Sequence, residues 1–352
     1  MVKVELFEYL DAVERDAAGA LDRARQPYLY DSLEWLRLTR SHVLPEVGFV
    51  AARARDEQGR SAWLMLQDQG GRRAAAFAGW YTLAFAPIFS CSPHQQPQGA
   101  GEQSSRPPLL AAIARALRSR FDAITLSPMD DERGFVSLLK QAFSASGWLA
   151  RQSVATANWI ADTNGQLFAD YWSARPSRLR NTVERKRKRA QLDIRILDRF
   201  DEQSWSAYEA VYRASWKPAE GSPAFLRAFA EQSSRWGSLR LGLAFDQGRP
   251  VAAQLWTVDG DIATIHKLAH DEGAKANSPG TVLSAAMFEH VIDRDRPMIV
   301  DFGTGDDAYK ADWMDAKRPL YRLDLYNMRA PGGIAAAGQA VARALVRRLR
   351  ND

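Results

Sequence analysis

Strand-like and helix-like segments follow one another in the same order twice along this chain, and that repetition narrows the possible folds further than any single motif. In the first half a helical stretch at 30–43 precedes strands at 48–53, 61–67 and 73–83. An amphipathic helix follows at 107–120, with Leu109, Ile113 and Leu117 in register, then a strand at 121–126, a helix at 131–145 and a strand at 152–160. The second half opens with helices over 166–191, broken at Arg175 by Pro176, a strand at 192–197 and helices at 204–216 and 223–235. Strands at 238–245, 251–258 and 262–269 come next, separated by the turns Asp246-Gln-Gly248 and Asp259-Gly260. A helix from Pro279, a strand at 298–302, a short helix at 307–315 and a strand at 320–327 complete the copy. Duplication of one α/β unit is the simplest source of this order, and 352 residues are enough for two cores. The expected domains are 1–160 and 161–330, with a basic helix over 331–352.

Composition excludes several classes. A lone cysteine, Cys91, rules out an internal disulfide framework or a thiolate metal cluster and fits a reducing cytoplasm. The opening Met1-Val-Lys-Val-Glu-Leu-Phe-Glu8 is acidic where an export signal would be basic and then apolar. Residues 74–89 carry no charge, but the stretch is short for a membrane span and Gly79 and Pro87 interrupt it. Residues 90–108, rich in Pro, Gln, Gly and Ser, read as a long loop. The net charge of +5 is concentrated: residues 175–189 hold eight Lys or Arg against Glu184, so the remainder is slightly acidic. That pattern belongs to one basic element and not to a nucleic-acid-like surface. In the tail, Gly332-Gly333 leads into an Ala-rich helix with Arg343, Arg347, Arg348 and Arg350. Such a helix either packs its apolar face on the domain, the reading favoured here, or makes peripheral contact with a membrane surface.

The segment richest in candidate chemistry runs from Lys267 to Lys310. It reads as a strand, a loop, a helix opened by Pro279 and Gly280, a second strand and a polar turn. Ser278 suits an N-cap and Pro279 suits the first helical position. Gly280, Thr281 and Val282 would then present backbone N–H groups to an anion. From these residues alone the alternative is an ordinary capped helix. His266 and His270 lie four residues apart on a strand, about 13 Å in Cα terms, which is too far for shared metal ligation, so no metal is expected.

Several separated blocks between about Phe168 and Tyr326 occur in the order seen in one known family. They are Tyr171-Trp-x-x-Arg175-Pro176, Leu179-Arg-Asn181-Thr182, Arg185-Lys186, Ala252-Ala-Gln254-Leu-Trp256 and Lys267-Leu-Ala-His-Asp271, followed by Ser278-Pro-Gly-Thr281, Asp301-Phe-Gly-x-Gly305-Asp-Asp-x-Tyr309-Lys310 and Trp313. This region resembles the acetyltransferase domain of the CelD-like branch of the GNAT superfamily, related to FemAB-like transferases. The resemblance implies tandem GNAT-like domains with mixed, mostly antiparallel sheets flanked by helices; the first half, which shows no counterpart of the Ser278-Pro-Gly-Thr281 turn, is expected to be the degenerate one. It also implies acetyl-CoA or another acyl-CoA as co-substrate, its pyrophosphate near the turn Ser278-Pro-Gly-Thr281.

N-acylation from a thioester needs a base for the acceptor amine, N–H donors for the oxyanion and an acid for the leaving thiolate. The strand carrying Lys267 and Leu268 can offer backbone donors if it splays from the strand at 298–302. Asp301, Asp306, Asp307 and Tyr309 are the catalytic candidates, with Lys310 holding a phosphate or tuning a carboxylate. Each has a structural alternative: Asp306 or Asp307 caps the next helix, and Asp301 ties the glycine turn to its neighbour. Trp172, Arg178, Arg180, Trp216 and His266 are candidates for binding the acceptor, while Trp256 reads as core. The expected function is acyl-CoA-dependent N-acylation of an amino sugar or cell-envelope precursor. The alternatives are aminoacyl transfer from a charged tRNA and non-catalytic acyl-CoA binding in polysaccharide synthesis.

Overall fold

The computed structural model describes residues 2–90 and 99–351, so Cys91 lies outside the described residues. In chain order the first elements are β1 (Lys3–Phe7), α1 (Leu10–Ala17), α2 (Leu33–His42), β2 (Gly48–Arg55), β3 (Ser61–Asp68), β4 (Arg73–Ala76), β5 (Ile88–Ser90), α3 (Gly99–Leu117), β6 (Ala123–Met129), α4 (Phe135–Ser144) and β7 (Trp148–Asp162). There follow α5 (Phe168–Ser173), α6 (Ser177–Ala190), β8 (Asp193–Leu197), α7 (Glu202–Arg213), α8 (Pro223–Trp236), β9 (Leu239–Asp246), β10 (Arg249–Asp259) and β11 (Ile262–His270). The last are α9 (Pro279–His290), β12 (Ile299–Thr304), β13 (Ala316–Asn327) and α10 (Pro331–Asn351).

The chain divides into two compact units, residues 1–156 with 319–352, and residues 157–318. In the first, β1, β2, β3, β4, β6 and β13 lie side by side, with β5 on β3. In the second the order is β8, β9, β10, β11, β12 and the end of β7. The pairing pattern is the same in both. Three antiparallel pairs are followed by one parallel pair, β4 with β6 and β11 with β12, and then by a further antiparallel strand. The fold is therefore mixed α/β with mostly antiparallel pairing and a duplicated strand pattern, except that the strand expected at 320–327 to complete the second copy pairs with β6 of the first unit, and the end of β7 takes its place.

The strands read as nearly continuous apolar runs because both faces of the sheet are covered. Along β2 and β3 of the first unit, Val50, Ala52, Ala54, Ala62, Leu64 and Leu66 pack with α3 and α4 through Leu109, Ile113, Leu117 and Leu139. The alternate residues Phe49, Ala51, Trp63 and Met65 pack with Leu10, Val13, Leu33 and Leu36 of α1 and α2. The period of two along a strand separates the two sets.

Three local expectations are corrected. The strand placed at 73–83 ends at Ala76, after which Phe85 donates its N–H to the carbonyl of Pro128 at 2.6 Å. The helix placed at 107–120 begins at Gly99, ahead of Pro107 and Pro108, and takes up part of the expected loop. Prolines read as a helix start because they lack the amide donor, yet this helix runs through them. β1 and α1 were not anticipated; β1 mixes charged and apolar residues in five positions and is ordered by pairing with β2.

Candidate active site

The second unit holds the Lys267–Lys310 segment, and its geometry starts from how β11 leaves β12. The two strands pair in parallel only at Ile262–Ile299, Ala263–Val300 and Thr264–Asp301. β11 continues to His270, and among the described residues no strand pairs with that edge beyond Thr264. On its other edge β11 carries an extra residue: Trp256 pairs with Ile265 and Leu255 with Lys267, leaving His266 as a bulge. A bulge re-aims side chains. His266 and Lys267 both turn away from the α9 side, whereas Ile265 and Leu268 join the cluster containing Trp256 and Phe288. Strict alternation along β11 would instead put His266 and His270 on one face and Lys267 on the other.

His266 is consequently a packing residue. Its Nε2 lies 2.9 Å from Thr257 Oγ1, its ring meets Phe229 edge-on at 4.8 Å, and burial reinforced by the Lys267 charge holds its pKa down to about 3. Lys267 is ion-paired with Glu220 at 2.7 Å. Its contribution, like that of Leu268, would be through the backbone of the open edge.

At the start of α9, Ser278 has φ 51° and ψ 48° and makes no side-chain cap bond. It turns the chain from the short 3-10 segment Glu272–Asn277 into the helix with its backbone, so the expected side-chain cap is absent. The Val282 amide is already bonded to the Ser278 carbonyl at 3.1 Å. Among the described residues, only the amides of Gly280 and Thr281 lack an acceptor there. A Cβ on Gly280 would lie 3.2 Å from His270 Nδ1, so a larger residue there would press on the imidazole. Gln254 fixes the helix start from below: its amide nitrogen donates to Ser284 Oγ at 2.7 Å and its oxygen accepts from Trp256 Nε1 at 2.8 Å. Trp256 is fully buried, as expected.

The polar turn after β12 divides into anchored and accessible groups. Asp301 Oδ1 accepts from the Gly303 amide and from Asn158, both at 2.7 Å, while Oδ2 pairs with Arg318 at 3.2 Å. Its carboxylate is committed to holding the glycine turn. Lys310 is buried, donates to the Thr304 carbonyl at 2.7 Å and lies over Phe302. Asp306 is exposed and paired with Lys317 at 2.5 Å. Asp307 is more than half exposed, 3.6 Å from Lys310. Tyr309 stands at its side, 45% exposed, its pKa pushed up to about 12 by burial and by the Asp307 charge. The turn is braced from outside: the Tyr171 hydroxyl and Arg175 both donate to the Trp313 carbonyl, and Trp313 stacks on Phe288 of α9 at 5.1 Å.

The α7–α8 connection completes the site, and sequence reasoning missed all of it except Trp216. Trp216 is half exposed, its ring 4.4 Å from that of His270. Lys217 and Glu220 line one cavity, and burial lowers the Lys217 pKa, with Lys267 adding to the effect while Asp307 and Glu220 oppose it. A cavity of about 510 Å³ opens here, walled by Trp205, Tyr208, Tyr212, Lys217, Glu220 and Leu226. The available signal was Trp216-Lys-Pro-Ala-Glu-Gly221, a turn-rich link carrying a lysine and a carboxylate. Trp172 and Arg180 come together elsewhere, in a groove of about 530 Å³ along α6 that shares no lining residue with this cavity. Arg178 is paired with Asp312. Among the described residues no group of three or more His, Cys, Asp or Glu is arranged to hold a metal ion.

Residues 177–311 match a domain described as an acetyltransferase (GNAT) domain. No curated protein matches the chain. Among solved structures, FemX is 10% identical with a TM-score of 0.60, over 92% of this chain and 98% of its own. L-PGS from Bacillus licheniformis is 13% identical with a TM-score of 0.55, over 90% and 96%. A C-terminal domain from Agrobacterium fabrum, described provisionally as that of a lysylphosphatidylglycerol synthetase, is 17% identical with a TM-score of 0.54, over 94% and 96%. At these identities the structures speak to the fold. The matched domain together with that fold supports an acyltransferase of GNAT type.

Proposed function

We propose that the second unit transfers an acyl group from a coenzyme A thioester to an amine on a sugar or cell-envelope precursor. The observation that carries this reading is the parting of β11 from β12 beside the unaccepted amides of Gly280 and Thr281. Those amides suit a diphosphate, and the open edge from Ile265 onward suits an amide-bearing arm that ends in the thioester. The acceptor would enter the cavity beside Lys217 as the neutral amine, with aromatic walls that fit a ring face.

In this scheme the acceptor nitrogen attacks the thioester carbonyl and the carbon–sulfur bond breaks. Lys217, its pKa lowered by burial, takes the proton from nitrogen. Tyr309 keeps its own proton at neutral pH and donates a hydrogen bond to the departing thiolate. Asp307 compensates the charge on Lys217. The motif blocks make the CelD-like branch, and with it a polysaccharide precursor, our preferred assignment of the acceptor.

Calorimetry with acetyl-CoA tests the donor half. Micromolar binding is expected, and Thr281→Glu should abolish it without lowering Tm, because a carboxylate suits a helix N-terminus but repels a diphosphate. Failure of the native chain to bind any acyl-CoA rejects the reading. Binding without turnover on amino-sugar acceptors would leave a non-catalytic coenzyme-binding protein.

One observation favours aminoacyl transfer from tRNA as a second reading: α6 exposes Arg178, Arg185, Arg187, Lys188 and Arg189. A tRNA affinity that falls steeply with salt would support it, and no binding at low ionic strength would dismiss it.

A further inference from the structure

α10 is packed the wrong way round for a helix that serves only its own domain. Its inward positions are small: Gly333 and Ala337 are buried, and Ala336, Ala340 and Ala344 are half-buried. Its outward positions are the larger ones, with Ile334 and Val341 each 52% exposed and Val346 50% exposed. Ile334 and Val341 stand two turns apart on one stripe, with Gly338 and Ala342, also exposed, beside them. The docking of the first turn is specific. A Cβ on Gly333 would come 2.1 Å from the Asn327 carbonyl oxygen, and one on Gly332 would come 2.1 Å from Asp122 Oδ2. A face set against the protein by two glycines, with Ile334, Val341 and Val346 left in water, calls for a partner.

Charge identifies the partner. Residues 329–352 contain five arginines and one acid, Asp352, and the exposed Arg343 lies beside the apolar stripe. A second copy of the chain would bring this basic helix against its own like charge. An apolar layer beneath negative head groups meets both demands at once. We propose that α10 lies in the head-group region of an anionic phospholipid membrane, with Ile334 and Val341 inserted and Arg343 on the lipid phosphates. The contact is peripheral: among the described residues no helix is long and apolar enough to cross a membrane. This proposal is independent of the acyl-transfer reading.

Flotation of the full chain with vesicles tests it. The chain should float with vesicles of about one-third phosphatidylglycerol and not with pure phosphatidylcholine, and binding should fall about tenfold as salt rises from roughly 0.1 to 0.5 M. The double variant Ile334→Gln, Val341→Gln should lose binding with Tm unchanged, since both side chains are already in water. Arg343→Glu should weaken binding about tenfold. Equal binding to neutral vesicles, or no binding to either, overturns the proposal. So does a dimer, seen by light scattering, that the double variant abolishes while vesicle binding is absent.

Discussion

His266 couples folding to pH. Its folded pKa of about 3 lies below that of a free imidazole, so between roughly pH 6.5 and 3 the unfolded chain takes up a proton that the folded chain refuses. Stability is full above that window and falls on acidification. Urea unfolding should show a loss of about 1–2 kcal/mol from pH 7 to pH 5, with a correspondingly smaller slope in His266→Gln. Asp301 makes a second residue-level test. Asp301→Asn removes the charge opposite Arg318 and, with its oxygen kept on the Gly303 amide, turns an NH2 toward the guanidinium, so it should cost about 2–3 kcal/mol of stability while acetyl-CoA binding survives. Full stability with lost turnover would instead return Asp301 to the chemistry. The types of these residues were legible, but not their roles. A carboxylate at a strand end reads the same whether it faces a substrate or a neighbouring amide.

At the scale of elements, two devices build the site: the bulge in β11 and the start of α9. Gly280 is where they meet. Gly280→Val would push against His270, and its expected effect is a destabilisation of about 1–3 kcal/mol together with lost coenzyme binding. Thr281→Glu should lose only the second. A Gly280→Val chain with native Tm would show that His270 moves aside and that the glycine serves the ligand alone. The α9 helix itself was readable from Pro279 and Gly280, and its Val282, Leu283, Met287 and Phe288 are all buried. The bulge was not, because it arises from the register between β10 and β11, and the period of two carries no mark of one extra residue.

For the whole molecule, the chain returns to its first unit after the second is complete. Tyr321–Tyr326 of β13 pair with β6, and Leu320, Leu323 and Leu325 are buried there. Losing those three leucines removes roughly 5–9 kcal/mol of apolar burial, comparable to the entire stability of a domain. A chain ending at Arg318 should therefore lose the first unit to limited proteolysis while 157–318 persists as a resistant fragment. Equal resistance of both units would contradict this. The duplicated order of strands and helices was already written in the residue pattern, as was the helix that opens with Pro279, because both follow from local periodicity and backbone chemistry. Packing alone settled which carboxylates remain accessible, which face His266 takes, that Lys217 and Glu220 line one cavity, and that α10 turns Ile334 and Val341 outward. Those outcomes depend on contacts between residues far apart in the chain, and no local pattern records them.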